Sequence, residues 1–372
     1  MALRPLLHAL LAAAAQITVM AAAPPALATG PEQVERELGR ARTAAGSIGF
    51  QGGSFVVAPV PFSNPTIGSG LALGAGYLFK TDPAARTSTI GAGIMRSDNG
   101  STAAGALASL AFGENRWLIS LFAAEADVRY DLFTNAGRIP VRQDGVLARL
   151  NAAYGVTPDL ALGAVLRYLD TSVTPETGLL PPPQSLDIGL QVASAGLTLD
   201  WDRRDDSDYP GAGFRLQAEA LHSEVLNGLQ RTYWKGNSKL DTYRSFGRDT
   251  VLALRGTACA AEDDTPFFDQ CSLGATDNFR GFNSTQFLDL RSLSFQAEIR
   301  RRLTKRWGAV GFAGTGWTGG SFSALTDGGR HSAYGIGARY RVSQKFPVDF
   351  SVDASRNTEG EDLIYIYVGQ RF

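Results

Sequence analysis

The segment that most constrains the fold is the last one, IYIYVGQRF, which closes on Phe372. Ile364, Ile366, Val368 and Phe372 share one side, interrupted by Gln370, while Tyr365, Tyr367, Gly369 and Arg371 share the other. Side chains alternate across an extended strand. The tail therefore has an oily face and a mixed face, as the closing strand of a membrane barrel requires. A half-buried edge strand of a soluble β-domain shows the same pattern, so the rest of the chain has to decide.

Sixteen alternating segments can be marked, near 53–60, 67–79, 87–98, 101–114, 116–131, 144–157, 159–173, 186–200, 211–225, 230–246, 249–261, 287–303, 306–317, 333–343, 346–356 and 361–372. Many exceed the five or six residues of an ordinary soluble strand and reach the roughly 9–11 that a tilted strand needs to cross a bilayer. In 287–303, Leu288, Leu290, Leu293, Phe295, Ala297 and Ile299 interleave with polar residues, and the register jumps near Ser292 as at a bulge. Connections after even-numbered segments are mostly tight, such as 113–115, 157–159, 247–249, 304–306 and 343–345. Several after odd-numbered ones are long: 132–143, 174–185, 262–286 and 318–332. Short turns at one end and long loops at the other are the pattern of a bacterial outer-membrane barrel. Its edges must close because hydrocarbon leaves no partner for an open strand. These observations predict an all-β chain folded as a transmembrane antiparallel barrel of sixteen strands. A soluble β-sandwich or solenoid is the competing architecture.

The first residues fix an address. Arg4 precedes an almost unbroken apolar or small run from 6 to 23, and Ala26-Leu27-Ala28 offers a cleavage site. Residues 1–28 read as a secretory signal peptide, with Ala23 the other candidate cleavage point. No later run reaches the ~18 apolar residues of a membrane helix. Residues 29–50 form a short periplasmic segment in which Val34 and Leu38 suggest a weak helix, and 51–372 form the barrel. The expected location is the outer membrane of a Gram-negative bacterium, in contact with lipid and lipopolysaccharide. A net charge of −1 gives no basic field for nucleic acid. The two cysteines, Cys259 and Cys271, flank a polar stretch and are candidates for a disulfide in an oxidising compartment.

The most specific internal segment is LGATDNFRGF at 273–282, at the end of the longest loop. Gly281 permits a sharp turn beside Arg280, Phe279 and Phe282 can anchor the tip, and the Arg280 fork suits a carboxylate. If the loop enters the lumen, Glu298 on the next strand is the natural acceptor. Catalytic chemistry finds little support. His222 and His331 have no evident metal-site partners, and His222 and Ser223 should face opposite sides of one strand. Asp202, Asp205, Asp206 and Asp208 crowd one turn, which reads as a solvated run paired with Arg203 and Arg204. No enzyme activity, metal or cofactor is expected.

The 273–282 segment resembles the (V/F)-R-G-(F/Y) loop of the BamA/TamA and bacterial surface-antigen family of outer-membrane assembly barrels. The resemblance continues into Ala297-Glu298-Ile299-Arg300, the 200–206 turn with Pro210 and Gly213, and the opening stretch 59–68. Phe372 matches the family's carboxyl-terminal insertion signal. The resemblance implies a sixteen-stranded barrel whose sixth outer loop is tucked into the lumen, with Arg280 against acidic residues. One should be Glu298. The other is an aspartate at the place of Gly314, so half of the expected lock is missing. The family's assembly members carry periplasmic POTRA domains, and the 29–50 segment is too short for one. The implied role is insertion or translocation of polypeptides, with client outer-membrane proteins or a POTRA-bearing partner. Pro59 and Pro61 in the first strand and Gly369 in the last predict a weak seam. A passive pore or structural surface barrel is the alternative.

Overall fold

A computed structural model describes residues 49–371 except 135–136, 177–187, 208, 229–230, 275–278 and 342–348. The predicted signal peptide, all but the end of the predicted 29–50 segment, and Phe372 lie outside the described residues.

Sixteen antiparallel strands close into one barrel. In chain order they are β1 (Ser54–Asn64), β2 (Gly68–Phe79), β3 (Ser88–Ser97), β4 (Thr102–Phe112), β5 (Trp117–Thr134), β6 (Gly137–Gly155), β7 (Leu160–Pro175) and β8 (Ile188–Asp202). They continue with β9 (Ala212–Val225), β10 (Thr232–Phe246), β11 (Thr250–Ala261), β12 (Arg291–Arg302), β13 (Trp307–Gly319), β14 (His331–Arg341), β15 (Asp349–Asn357) and β16 (Asp362–Val368). Each strand pairs with its chain neighbours, and β1 returns to β16. No helix among the described residues is long and apolar enough to cross a membrane.

The alternation sorts side chains as the sequence predicts. Val57, Leu71, Leu121, Leu166, Leu197, Ile299, Ile336 and Ile364 are exposed on the outer wall. The first and last described residues and the β4–β5, β6–β7, β10–β11 and β12–β13 turns lie at one end of the barrel, called here the turn end. An aromatic girdle rings it, with Trp117 against Tyr154, Trp201 against Phe214 and Trp307 against Tyr340. Such girdles mark the edge of an apolar membrane band.

The lumen divides in two. Toward the loop end of β1–β10, an apolar core packs Phe62, Met95, Val128, Tyr130, Val141, Val192, Val225 and Tyr233. On β11–β15 the inner face is polar and charged, carrying Arg255, Ser294, Glu298, Arg300, Arg339, Ser351 and Asp353.

Several boundaries differ from the sequence expectation. The 132–143 stretch is not a long loop: β5 continues to Thr134 and pairs with β6 from Gly137, so the two strands extend the hairpin beyond the predicted wall. The first strand is longer, running through Pro59 and Pro61 to Asn64. The predicted bulge at Ser292 is absent: alternation is unbroken from Arg291 to Arg301. The jump marks the place where Leu288–Asp289 leaves a two-residue ladder with Cys271–Ser272 and the wall begins. The last strand ends early, at Val368. Gly369 adopts φ 97° and donates its N–H to the Asp349 carbonyl. Gln370 then meets Arg339 and Asp349, and the Arg371 carbonyl accepts from Arg255 Nη1 at 3.2 Å. Continued alternation would have put Gln370 on the lipid face. Turning inward gives its amide partners that hydrocarbon cannot offer.

Among the described residues the seam between β1 and β16 is joined by a single ladder pair, Ser63 with Ile366, whereas β1 and β2 pair over all eleven residues of β1. The β1–β2 ladder passes through both prolines, although proline has no N–H to donate. Their missing donors must therefore face the other neighbour, the seam.

Candidate functional site

The β11–β12 connection, residues 262–290, is held inside the barrel at two separate places. The disulfide Cys259–Cys271 ties its first arm to β11. Just before that bond, a short 3-10 turn, Phe267–Asp269, carries Phe268 into the apolar core. There Asp269 accepts from Arg167 Nη2 at 2.5 Å, Lys235 Nζ at 3.0 Å and the Tyr233 hydroxyl at 2.8 Å. Arg167 also donates to Ser194 Oγ, which pairs with Ser223 Oγ. Burial alone would raise the Asp269 carboxyl, but Arg167 and Lys235 hold it well below the ordinary carboxylate range. Nothing in the sequence analysis marked Asp269, Arg167 or Lys235. Arg167 on β7 and Lys235 on β10 are distant in sequence from Asp269, and the loop brings the acid to them only by folding back into the barrel.

The tip is fixed against the opposite, charged wall. Arg280 is only 1% exposed. Its guanidinium donates to Glu298 through Nη2 and to Asp353 Oδ2 through Nη1 at 2.6 Å, and lies 3.7 Å over the Phe312 ring. Arg300 Nε donates to the other Glu298 oxygen at 2.7 Å. Arg339 donates to both Asp353 oxygens, and the Tyr367 hydroxyl donates to Asp353 at 2.6 Å. Three arginines thus surround two carboxylates.

The second acid is the correction to the sequence reading. It is absent from position 314 but present at Asp353, on β15. A Cβ built at Gly314 would sit 2.3 Å from Phe279 Cε2, so the Phe279 ring occupies the space an aspartate there would need. Asp353 was legible as a lumen residue, because Asp349, Ser351, Asp353, Ser355 and Asn357 form one polar, buried row. Only the fold shows that this row reaches Arg280.

Gly281 presses on the wall. A Cβ there would lie 2.2 Å from Ala333 Cβ, and its φ of 131° disfavours any side chain. Its N–H donates to the Tyr365 hydroxyl on β16 at 2.7 Å, and its carbonyl accepts from Asn357 Nδ2. Phe282 packs against Phe279 and Phe287, and Phe287 stacks on His331. Ser284 and Asn283 then bond Thr66 and the Pro65 carbonyl in the β1–β2 turn. The tip therefore touches both sides of the seam, β16 through Tyr365 and the β1 side through Thr66.

The other candidates separate. His222 lies on the outer wall against Trp234, while Ser223 is buried inside. Arg204 pairs with Asp202 at 2.7 Å and Arg203 with Asp159 at 3.3 Å; Asp208 lies outside the described residues. Among the described residues no three His, Cys, Asp or Glu side chains are grouped as metal ligands.

No family model and no curated protein matches the sequence. Solved structures do match in shape. The chain is similar to BamA from Haemophilus ducreyi lacking POTRA domains 1–3, at TM-score 0.57 and 13% identity, over 85% of this chain and 70% of that one. It is similar to CdiB from Acinetobacter baumannii, at TM-score 0.56 and 10% identity, over 85% of this chain and 59% of that one. It is similar to CdiB from Escherichia coli, at TM-score 0.55 and 14% identity, over 83% of this chain and 61% of that one. The chain thus spans less than two thirds of the length of either CdiB. At these identities the likeness is one of fold, a sixteen-stranded antiparallel barrel.

Proposed function

We propose that the protein sits in the outer membrane of a Gram-negative bacterium, turn end toward the periplasm, and assists insertion or translocation of polypeptides, with client outer-membrane proteins as partners. The observation that carries this reading is the seam. A sheet edge joined by one residue pair, with two proline-blanked donors facing it, is poised to open and pair with an incoming strand.

The wall is also lowest there. β16 has seven residues and β15 nine, against nineteen for β6. Seven residues fall short of the roughly 9–11 needed to span a bilayer, and a short wall thins the adjacent lipid at modest cost. Both features lower the work of bringing a new strand to this edge. A passive pore is disfavoured because the loop and the apolar core lie across the lumen.

The test is a pair of cysteines at the one seam contact, Ser63→Cys with Ile366→Cys. Reconstituted with an unfolded client barrel, the crosslinked protein should lose client insertion and recover it when the bond is reduced. Insertion that proceeds equally well with the seam closed overturns the mechanism.

A further inference from the structure

We infer that the turn-end rim of β10–β13 is a binding surface for the phosphate headgroups of anionic phospholipids in the adjoining leaflet. Arg244 and Arg248 come from the end of β10 and its turn, and Arg301, Lys305 and Arg306 from the end of β12 and its turn. All five are exposed, as is the single acid among them, Asp249. Among the described residues none of the five forms an ion pair. Among the described residues the β8–β9 turn brings Asp205 and Asp206 nearby, and their carboxylates are engaged within that turn by the N–H groups of Asp206, Tyr209 and Gly211; Asp349 is engaged by Arg302 and Arg341.

Among the described residues the rest of the rim is balanced. Lys80, Arg86, Arg116 and Arg203 there face Asp82, Glu114, Asp159, Asp205 and Asp206, and Arg203 pairs with Asp159. Among the described residues the excess of positive charge is therefore on one arc. Four adjacent strands at about 4.8 Å spacing make that arc roughly 15 Å wide.

The occupant follows from what lies beside the cations. Arg244 stands 5.6 Å over the outward Phe246 ring, and Arg306 Nη1 donates to the Tyr340 hydroxyl at 3.0 Å, next to Trp307. Arg301 continues the outward row of Phe295 and Ile299, and Leu303 beside it is exposed as well. Cations rooted among aromatic and aliphatic side chains at the edge of the apolar band lie at headgroup level. A lipid satisfies both halves of such a site, with acyl chains on the wall and phosphate on the arc. An acidic soluble protein would have to displace lipid from Phe246, Leu303 and Trp307 to reach it.

The proposal needs only that the barrel spans a bilayer; it does not depend on insertion activity. The probe is phosphatidylglycerol against phosphatidylcholine in nanodiscs of mixed composition, with retained lipid counted by native mass spectrometry after mild delipidation. The native barrel should retain phosphatidylglycerol several-fold over its share of the mixture, and raised salt should reduce that enrichment by screening. Neutralising the arc (R244Q, R248Q, R301Q, K305Q and R306Q together) should bring retention to the phosphatidylcholine level. Neutralising Lys80, Arg86, Arg116 and Arg203 should leave it unchanged. Heat-modifiable gel migration checks folding. If the five-fold variant does not fold, R301Q and K305Q alone should each give a partial loss. Unchanged enrichment in the arc variants, an equal loss from both arcs, or capture of an acidic protein in preference to lipid overturns the proposal.

Discussion

Replacing Asp353 by Asn should free the loop tip more than replacing Arg280 itself. The tip cluster holds Arg280, Arg300 and Arg339 against Glu298 and Asp353. Arg280→Ala leaves two charges of each sign, and each carboxylate keeps an arginine. The loss is two charge-assisted hydrogen bonds, each about 1.5–3 kcal/mol at most, offset because both acceptors stay partnered. A net of about 2–3 kcal/mol corresponds to a roughly 30- to 150-fold easier opening. Asp353→Asn instead leaves three buried cations around one carboxylate. With the loop docked, Arg280 then sits in the wall without one of its acids, whereas with the loop released it returns to water. Removing one partner of a buried pair costs about 3–5 kcal/mol, or roughly 150- to 5,000-fold in opening. Hydrogen exchange of residues 279–286 in nanodiscs measures this directly, with a peptide from β6 as the control that the wall is intact. Gly314→Asp added to Asp353→Asn should not restore protection, because Phe279 fills that position. If Asp353→Asn exchanges no faster than Arg280→Ala, the charge count is wrong and Asp353 is a wall residue only.

Three further outcomes follow from the same geometry. Asp269→Asn should release the arm at Phe267 and Phe268 to chymotrypsin while the tip stays docked. Since the folded Asp269 carboxyl is depressed, its contribution is complete above the unfolded value of about 4 and is lost only as pH falls toward the folded one; arm protection should be equal at pH 7 and pH 5 and fail in stronger acid. Gly281→Ala should expose the tip by roughly 2 kcal/mol or more from overpacking and an unfavourable φ, and Ala333→Gly should recover only the packing share, as read by exchange of the same peptide. Closing the seam by the Ser63–Ile366 crosslink should slow exchange at 279–286 without changing 267–273, because the tip alone bonds both Tyr365 and Thr66; equal effects on both segments would count against coupling between tip and seam.

What was legible in the sequence, and what was not, divides along one physical line. Alternation is a local property of the chain, so strand number, outward faces and lumen faces could be read from one sequence. Arg280, Gly281 and Glu298 were legible because they lie within twenty residues of one another. Asp353 and Asp269 were not, because their partners are set by how a sheet of sixteen strands closes. Asp353 is 73 residues from Arg280, and Asp269 is 102 from Arg167. Asp353 was visible only as a polar residue on an inward face, and Asp269 only as a loop acid. The tail failed for a related reason: alternation has no term for the alternative that an inward turn offers to Gln370 and Arg371. The seam went the other way. Two prolines on one parity of β1 are a local fact, and they remove donors from one edge only. That edge has to be the seam, since the other is the continuous ladder to β2. Where the described seam ladder has a single pair, the loop tip adds hydrogen bonds on both sides of it, to Tyr365 and to Thr66.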